Sequence, residues 1–194
     1  MPIEVRLVRS EAEARAVYRL RYRVYVEELG RTQRHADHDR KTIEEPLDRD
    51  CMLWAAYDGD QLVGTVRSSY AWRCDLGDYP ELYQMARVGR DHPRHTSITT
   101  KLLVLRDHRL MSVARALALA TYRRGLADGV RHDFIDVYPA RIPFFEHLGY
   151  RVHVPELQHP EYGRVVVMSL DLHDREHFGR VGSPFLDLSS SDAA

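Results

Sequence analysis

Apolar and polar residues alternate from Ile3 to Val8, the period of a half-buried strand. From Ser10 the period lengthens. Ser10 and Glu13 are spaced as a capping box, and Ala14, Val17, Tyr18, Val24 and Tyr25 recur at helical spacing, which predicts a helix to about Leu29. Residues 30–50 keep neither period, with Gly30 and Pro46 set among charges, and read as a long loop or a poor helix. Residues 51–57 and 62–67 are apolar and β-branched on either side of Asp58-Gly59, a hairpin signal. Pro80 and Pro93 interrupt residues 71–97, where we expect an irregular excursion with one helical turn around 81–86. Residues 99–106 are strand-like, and Val113, Ala116, Leu117 and Ala120 share one side of a helix over 112–127 that stops at Asp128-Gly129. A strand over 134–138, a short helix over 142–148 closed by Gly149, and strands at 150–154 and 165–172 complete the reading.

The strands number about seven. Their alternation with helices in the second half implies parallel pairing there, and the early hairpin implies antiparallel pairing. The expected class is therefore α/β (α+β), a mixed central sheet flanked by helices, in one domain over 1–178 with a flexible tail over 179–194. With 44% hydrophobic and 29% charged residues, the 194-residue chain is not collagen, coiled coil or a disordered polymer. A net charge of −1 provides no whole-surface basic field, so no nucleic-acid partner is expected. No apolar run is long enough to span a membrane, and the opening lacks a secretory pattern. Only Cys51 and Cys74 are present, without Cys-x-x-Cys spacing, which points to a reducing cytoplasm.

Candidate chemistry begins with the first helix. Its apolar stripe runs through 14, 17, 18, 21, 24, 25 and 28, so Arg21 and Glu28 interrupt a buried face. A buried charge needs a partner. Either Arg21 pairs with a loop carboxylate such as Asp48 or Asp50, or Arg21 and Arg67 line a pocket and hold an anionic group or order the loop over it. His35-x-x-His38 and His92-x-x-His95 have zinc-compatible spacing but no third soft ligand nearby, so no metal is expected. Cys51, in an apolar strand, reads as packing rather than as a nucleophile. Between Lys101 and His132 seven basic residues face two acidic ones, a local +5 hidden by the total.

The strongest local signal is the strand-to-helix junction Val104 to Ala114. Successive N–H groups opening a helix bind phosphates where small residues permit close approach, and Ser112 and Ala114 are small. This segment resembles the acyl-CoA signature of the GNAT superfamily of N-acyltransferases, with Arg109 first, Ser112 in place of the first glycine and Ala114 last. Residues 143–150, Pro-Phe-Phe-Glu-His-Leu-Gly-Tyr, are similar to the superfamily's late helix and turn. There Phe145 stands where a tyrosine usually protonates the leaving thiolate, so that role has no obvious owner. More narrowly, residues 20–30 and Val63-Gly64-Thr65-Val66-Arg67 resemble the first helix and third strand of autoinducer (acyl-homoserine lactone) synthases and bacterial N-acyl amino acid synthases. The closing run from Met168 to Phe185 is similar to the latter. Ile98 and Lys101 depart from that pattern, where an acid and an arginine are usual.

The resemblance implies a thioester donor between the fourth and fifth strands. Its pantetheine would pair with the backbone of Leu103, Val104 and Leu105, and its phosphates would lie on Arg109, Leu110, Met111, Ser112, Val113, Ala114 and Arg115. Arg21, Tyr25, Glu28 and Arg67 would serve the substrate. Asp136 and Tyr138 share a face of the fifth strand with Phe134 and are candidates for base or acid, with water as the alternative. The donor would be a coenzyme A thioester or the phosphopantetheine of an acyl carrier protein, with that carrier as partner, and the acceptor a small, amino-acid-like amine. A non-catalytic acyl-CoA-binding sensor of the same fold is the rival, favoured by Phe145 and Ser112, and a metal-binding module on the histidine pairs is the third reading. The oligomeric state is not legible.

Overall fold

The computed structural model describes residues 2–108 and 111–189. In chain order the elements are β1 (Glu4–Leu7), α1 (Glu11–Tyr22), β2 (Ala36–Asp37), β3 (Thr42–Ile43), β4 (Met52–Asp58), β5 (Gln61–Tyr70) and α2 (Tyr79–Leu82). There follow β6 (Thr96–Val104), α3 (Met111–Ala127), β7 (His132–Val137), α4 (Ile142–Leu148), β8 (Arg151–His159), β9 (Gly163–Asp171) and α5 (Arg175–Val181). Seven strands form one sheet in the order β1-β4-β5-β6-β7-β9-β8, and β2 pairs with β3 alone. β6 and β7 run parallel, while β1/β4, β4/β5, β7/β9 and β8/β9 are antiparallel. The mixed seven-stranded sheet is the expected one.

Three local outcomes differ from the expectation. The helix beginning at Glu11 is α-helical only to Tyr22, and Arg23–Glu28 continues as π-helical turns. The periodic stripe is real, and Val24 and Tyr25 stay buried across the change of pitch, a π segment of the kind that recurs near functional sites. The strand expected at 99–106 begins at Thr96 and ends at Val104. The last hairpin is longer than its alternation indicates, since register shifts between Val152/Val154 and Val154/Leu157 break the two-residue period.

The chain divides into two compact units, Met1–Ser68 with Thr100–Thr121, and Ser69–Thr99 with Tyr122–Ala194. In the first, Ser10 caps α1 by accepting from the Glu13 amide, and the Glu13 side chain returns to the Ser10 amide. Val113 and Leu117 of α3 pack with Trp54, Ala56, Val63 and Val66. Leu103 and Leu105 pack with Leu20, Tyr22, Val24 and Tyr25.

In the second unit, Tyr122 stacks on Phe185 with centroids 4.1 Å apart, meets Phe178 edge-on, and donates its hydroxyl to Leu172 O. Of the stretch 179–194, expected as a flexible tail, residues to Ser189 are described. Phe185 there is buried, and the Ser183 hydroxyl donates to Leu148 O at 2.6 Å. Residues 190–194 lie outside the described residues.

Candidate active site

In the first unit, charged side chains from four segments meet inside the protein. Arg21 of α1 donates to Asp48 Oδ2 at 2.7 Å. Arg67 of β5 donates to Asp48 Oδ1 at 3.0 Å, to Glu45 Oε2 at 2.7 Å and to the Thr100 hydroxyl at 2.9 Å. Lys101 of β6 reaches Glu45 Oε1 at 2.6 Å and lies 5.1 Å from the Tyr25 ring centroid. The two carboxylates belong to one device. Glu45 precedes the 3-10 turn Pro46–Arg49, its amide donates to Asp48 Oδ2 at 2.7 Å, and Pro46 opens the turn where no N–H is needed.

Both arginines are fully buried. Burial pushes the Glu45 carboxyl up, but Lys101 and Arg67 outweigh it and hold its pKa at about 2. Burial likewise opposes ionisation of Asp48, and Arg21 and Arg67 keep it below the usual carboxylate range. Burial drives the Lys101 ammonium down against the pull of Glu45. Lys101 also has a φ of 56°, a left-handed residue inside a strand, which turns β6 at that point. Three cations against two anions leave the network one positive charge in excess. Of the two readings of Arg21, the structure contains the pairing with Asp48, and Arg21 and Arg67 together order the 45–49 segment.

The residues expected on the donor side sit at the end of β6 and the start of α3. Leu105 N–H donates to Val63 O at 2.9 Å, so its amide is engaged with β5 rather than left for a pantetheine arm. After Val104 come the 3-10 turn Arg106–His108 and then α3, with Arg109 and Leu110 outside the described residues. Ser112, Val113, Ala114 and Arg115 fall in the first turn of α3; Ser112 and Arg115 are exposed and Val113 is buried. Gly64 explains how that turn approaches the sheet. A Cβ there would lie 3.0 Å from Leu103 O and 3.1 Å from Val113 Cγ1. Glu28, expected on the substrate side, instead accepts from the Arg106 amide at 3.2 Å while Arg106 Nη2 donates to Glu28 O at 2.8 Å. It pins the connection into α3.

In the second unit, Asp136 of β7 is half-buried and its Oδ1 accepts from Tyr83 at 2.5 Å. Tyr138 follows β7 and precedes the 3-10 turn Pro139–Arg141. Phe145 packs edge-on to Tyr150, and the Tyr150 hydroxyl is spent on Asp133 Oδ2 at 2.6 Å. Asp133 also accepts from Ser97 and Thr99; its burial pushes the pKa up to about 6 against those three hydroxyls. Among the described residues no group of three or more His, Cys, Asp or Glu is disposed to hold a metal, and no helix is long and apolar enough to cross a membrane. His38 Nδ1 instead bonds the Tyr22 hydroxyl at 2.9 Å, and His92 the Thr96 hydroxyl at 2.9 Å.

Sequence reasoning did not single out Glu45, Thr100 or Tyr83. Glu45-Pro46-Leu47-Asp48 carried a signal, an acid either side of a helix-opening proline. Tyr83 carried none, since its partner lies 53 residues away.

The described fold is a mixed seven-stranded sheet in which β6, left-handed at Lys101, leads toward α3. Residues 16–171 match the family model of the N-acyl amino acid synthase FeeM, and the chain belongs to that family. No curated protein matches the sequence. Among solved structures, TofI in a ternary complex with an inhibitor and MTA is 19% identical with a TM-score of 0.71, covering 94% of this chain and 97% of that one. FeeM, an N-acyl amino acid synthase from uncultured soil microbes, is 14% identical with a TM-score of 0.70, covering 96% and 97%. The CoA-dependent acyl-homoserine lactone synthase BjaI with SAM and isopentyl-CoA is 20% identical with a TM-score of 0.66, covering 90% and 84%. At such identities these likenesses concern the fold.

Proposed function

We propose that the enzyme moves an acyl group from an acyl-CoA or acyl-carrier-protein thioester directly to the amine of a small, amino-acid-like acceptor, in the cytoplasm. The observation that carries this reading is the start of α3. There Ser112 is exposed and without bulk, Gly64 admits the turn against β5, and the pair Glu28–Arg106 holds the entry. Helix-opening amides at 112–114 suit the phosphates of coenzyme A or phosphopantetheine. The pantetheine arm follows the β6 backbone at Leu103 and Val104, and a β6 N–H group stabilises the oxyanion at little reorganisation cost.

Asp136 takes a proton from the acceptor's ammonium, with Tyr138 as the second candidate for proton transfer. Arg21, Tyr25, Glu28 and Arg67 serve the acceptor side, Arg21 and Arg67 through the 45–49 segment they hold. Cys51 is outside the chemistry: its thiol donates to Asp48 O at 3.4 Å.

The test is thiol release from octanoyl-CoA and from octanoyl-carrier protein, measured with a chromogenic thiol reagent across a panel of amino acids. Release that requires an amine supports direct transfer. A covalent octanoyl adduct in intact mass spectra refutes it, and saturable donor binding with no release under any acceptor favours the sensor.

A further inference from the structure

Tyr83 is a large buried group that the transfer scheme leaves without a task. It lies in the excursion before β6, immediately after α2, and is fully buried. Its amide donates to Tyr79 O at 2.8 Å and its ring meets Tyr79 edge-on, with centroids 5.2 Å apart. The next residue, Gln84, has a φ of 51° and accepts at its carbonyl from His153 of β8 at 3.2 Å. His153 in turn lies edge-on to Phe134, two residues before Asp136 on β7. The Tyr83 backbone is thus tied down on both sides, and its hydroxyl reaches Asp136 Oδ1 at 2.5 Å.

We propose that Tyr83 is a positioning residue for the transfer step, fixing the Asp136 carboxylate through Oδ1 so that Oδ2 takes the proton of the acceptor's ammonium. Burial, and then the charge of Asp136, push the Tyr83 phenol well above its ordinary range, so it stays neutral and serves as donor only. A phenol that cannot ionise does not compete with the ammonium for the carboxylate. It removes one oxygen from use and restricts rotation of the other, which is what a base must have if geometry is to precede proton affinity.

Atoms and charges balance through the transfer. The ammonium gives one proton to Asp136 Oδ2, and the neutral amine forms a C–N bond at the thioester carbonyl carbon. The C–S bond breaks as the tetrahedral intermediate collapses, and the second nitrogen proton passes to the departing thiolate. Amide and thiol are released, and Asp136 returns its proton to solvent.

This inference rests on the transferase reading, and the experiment separates the two. Thiol release from octanoyl-CoA is measured with the best amino-acid acceptor for the parent, Tyr83→Phe, Asp136→Asn and the double variant, with thermal melting to confirm that each is folded. Tyr83→Phe is expected to lower kcat about tenfold or more, with the KM of the donor unchanged. In the Asp136→Asn background it is expected to have no further effect, because it acts through that carboxylate. Hydroxylamine, largely unprotonated near neutral pH, needs no base, and with it Tyr83→Phe is expected to match the parent. An unchanged kcat in Tyr83→Phe, multiplicative losses in the double variant, or an equal loss with hydroxylamine each overturns the proposal while the parent remains active. A parent that releases no thiol with any acceptor, hydroxylamine included, overturns the transferase reading and this inference with it.

Discussion

Arg21 and Asp48 are joined by a 2.7 Å ion pair across 27 residues, with both side chains shut off from solvent. Breaking such a pair from one side is costly, because the remaining charge has no water to turn to. Asp48 also holds Arg67, so its loss takes a carboxylate from two guanidinium groups at once, although Arg67 keeps Glu45. Asp48→Asn is expected to lower unfolding stability by about 3–5 kcal/mol in urea titration. A loss under about 1 kcal/mol, the range of an exposed pair, contradicts the dry network.

Glu45 makes the same network sensitive to acid. Its pKa falls from 4.5 to about 2 on folding, so its contribution is present above about pH 4.5 and is lost as pH drops toward 2. Between those limits the parent is expected to lose on the order of 3 kcal/mol relative to Glu45→Gln. Parallel stability curves for the two proteins from pH 5 to pH 2.5 count against that role.

Asp133 has the opposite sign. Its folded pKa is raised from 3.8 to about 6, so its contribution is complete below about pH 4 and declines as pH rises through 6. The parent is expected to lose stability relative to Asp133→Asn across that window, by a magnitude on the order of 3 kcal/mol. Differential scanning calorimetry of both proteins at pH 4 and pH 7 measures it. A difference that stays constant between the two pH values shows that folding does not raise the pKa of this carboxyl.

Gly64 faces Leu103 O at 3.0 Å and Val113 at 3.1 Å from the place a Cβ would take. Gly64→Val therefore forces the start of α3 away from β5, and is expected to cost about 1–3 kcal/mol and to weaken donor binding in calorimetry with octanoyl-CoA. Normal donor affinity in a destabilised Gly64→Val protein removes the start of α3 from the donor site.

Arg123 is exposed on α3, whereas its neighbour Arg124 is committed to Asp128 at 2.6 Å. If a carrier protein docks on this basic face, Arg123→Glu lowers thiol release from octanoyl-carrier protein and leaves octanoyl-CoA unaffected, with the carrier reaction the more salt-sensitive of the two. Equal losses with both donors, or none with either, exclude docking there.

What the amino-acid sequence determined by itself lies within a few residues of chain. The alternation at 3–8, the Ser10–Glu13 cap, the turn at Asp58-Gly59 and the close of α4 at Gly149 are short-range matters of backbone preference and local hydrogen bonding, and they appear where the pattern places them. Arg21 in an apolar stripe even announced a buried charge in need of a carboxylate, because solvation energetics demand one wherever it comes from. The tertiary structure alone decided which carboxylates answer. Glu45 and Asp48 reach Arg67 across 22 and 19 residues, Tyr83 reaches Asp136 across 53, and Glu28 bonds the Arg106 amide across 78. The π-helical turns at 23–28 and the bulges in β8 belong to the same class. In each, packing against a distant segment overrides the local period, and no local pattern carries the identity of a partner that only the folded chain brings near.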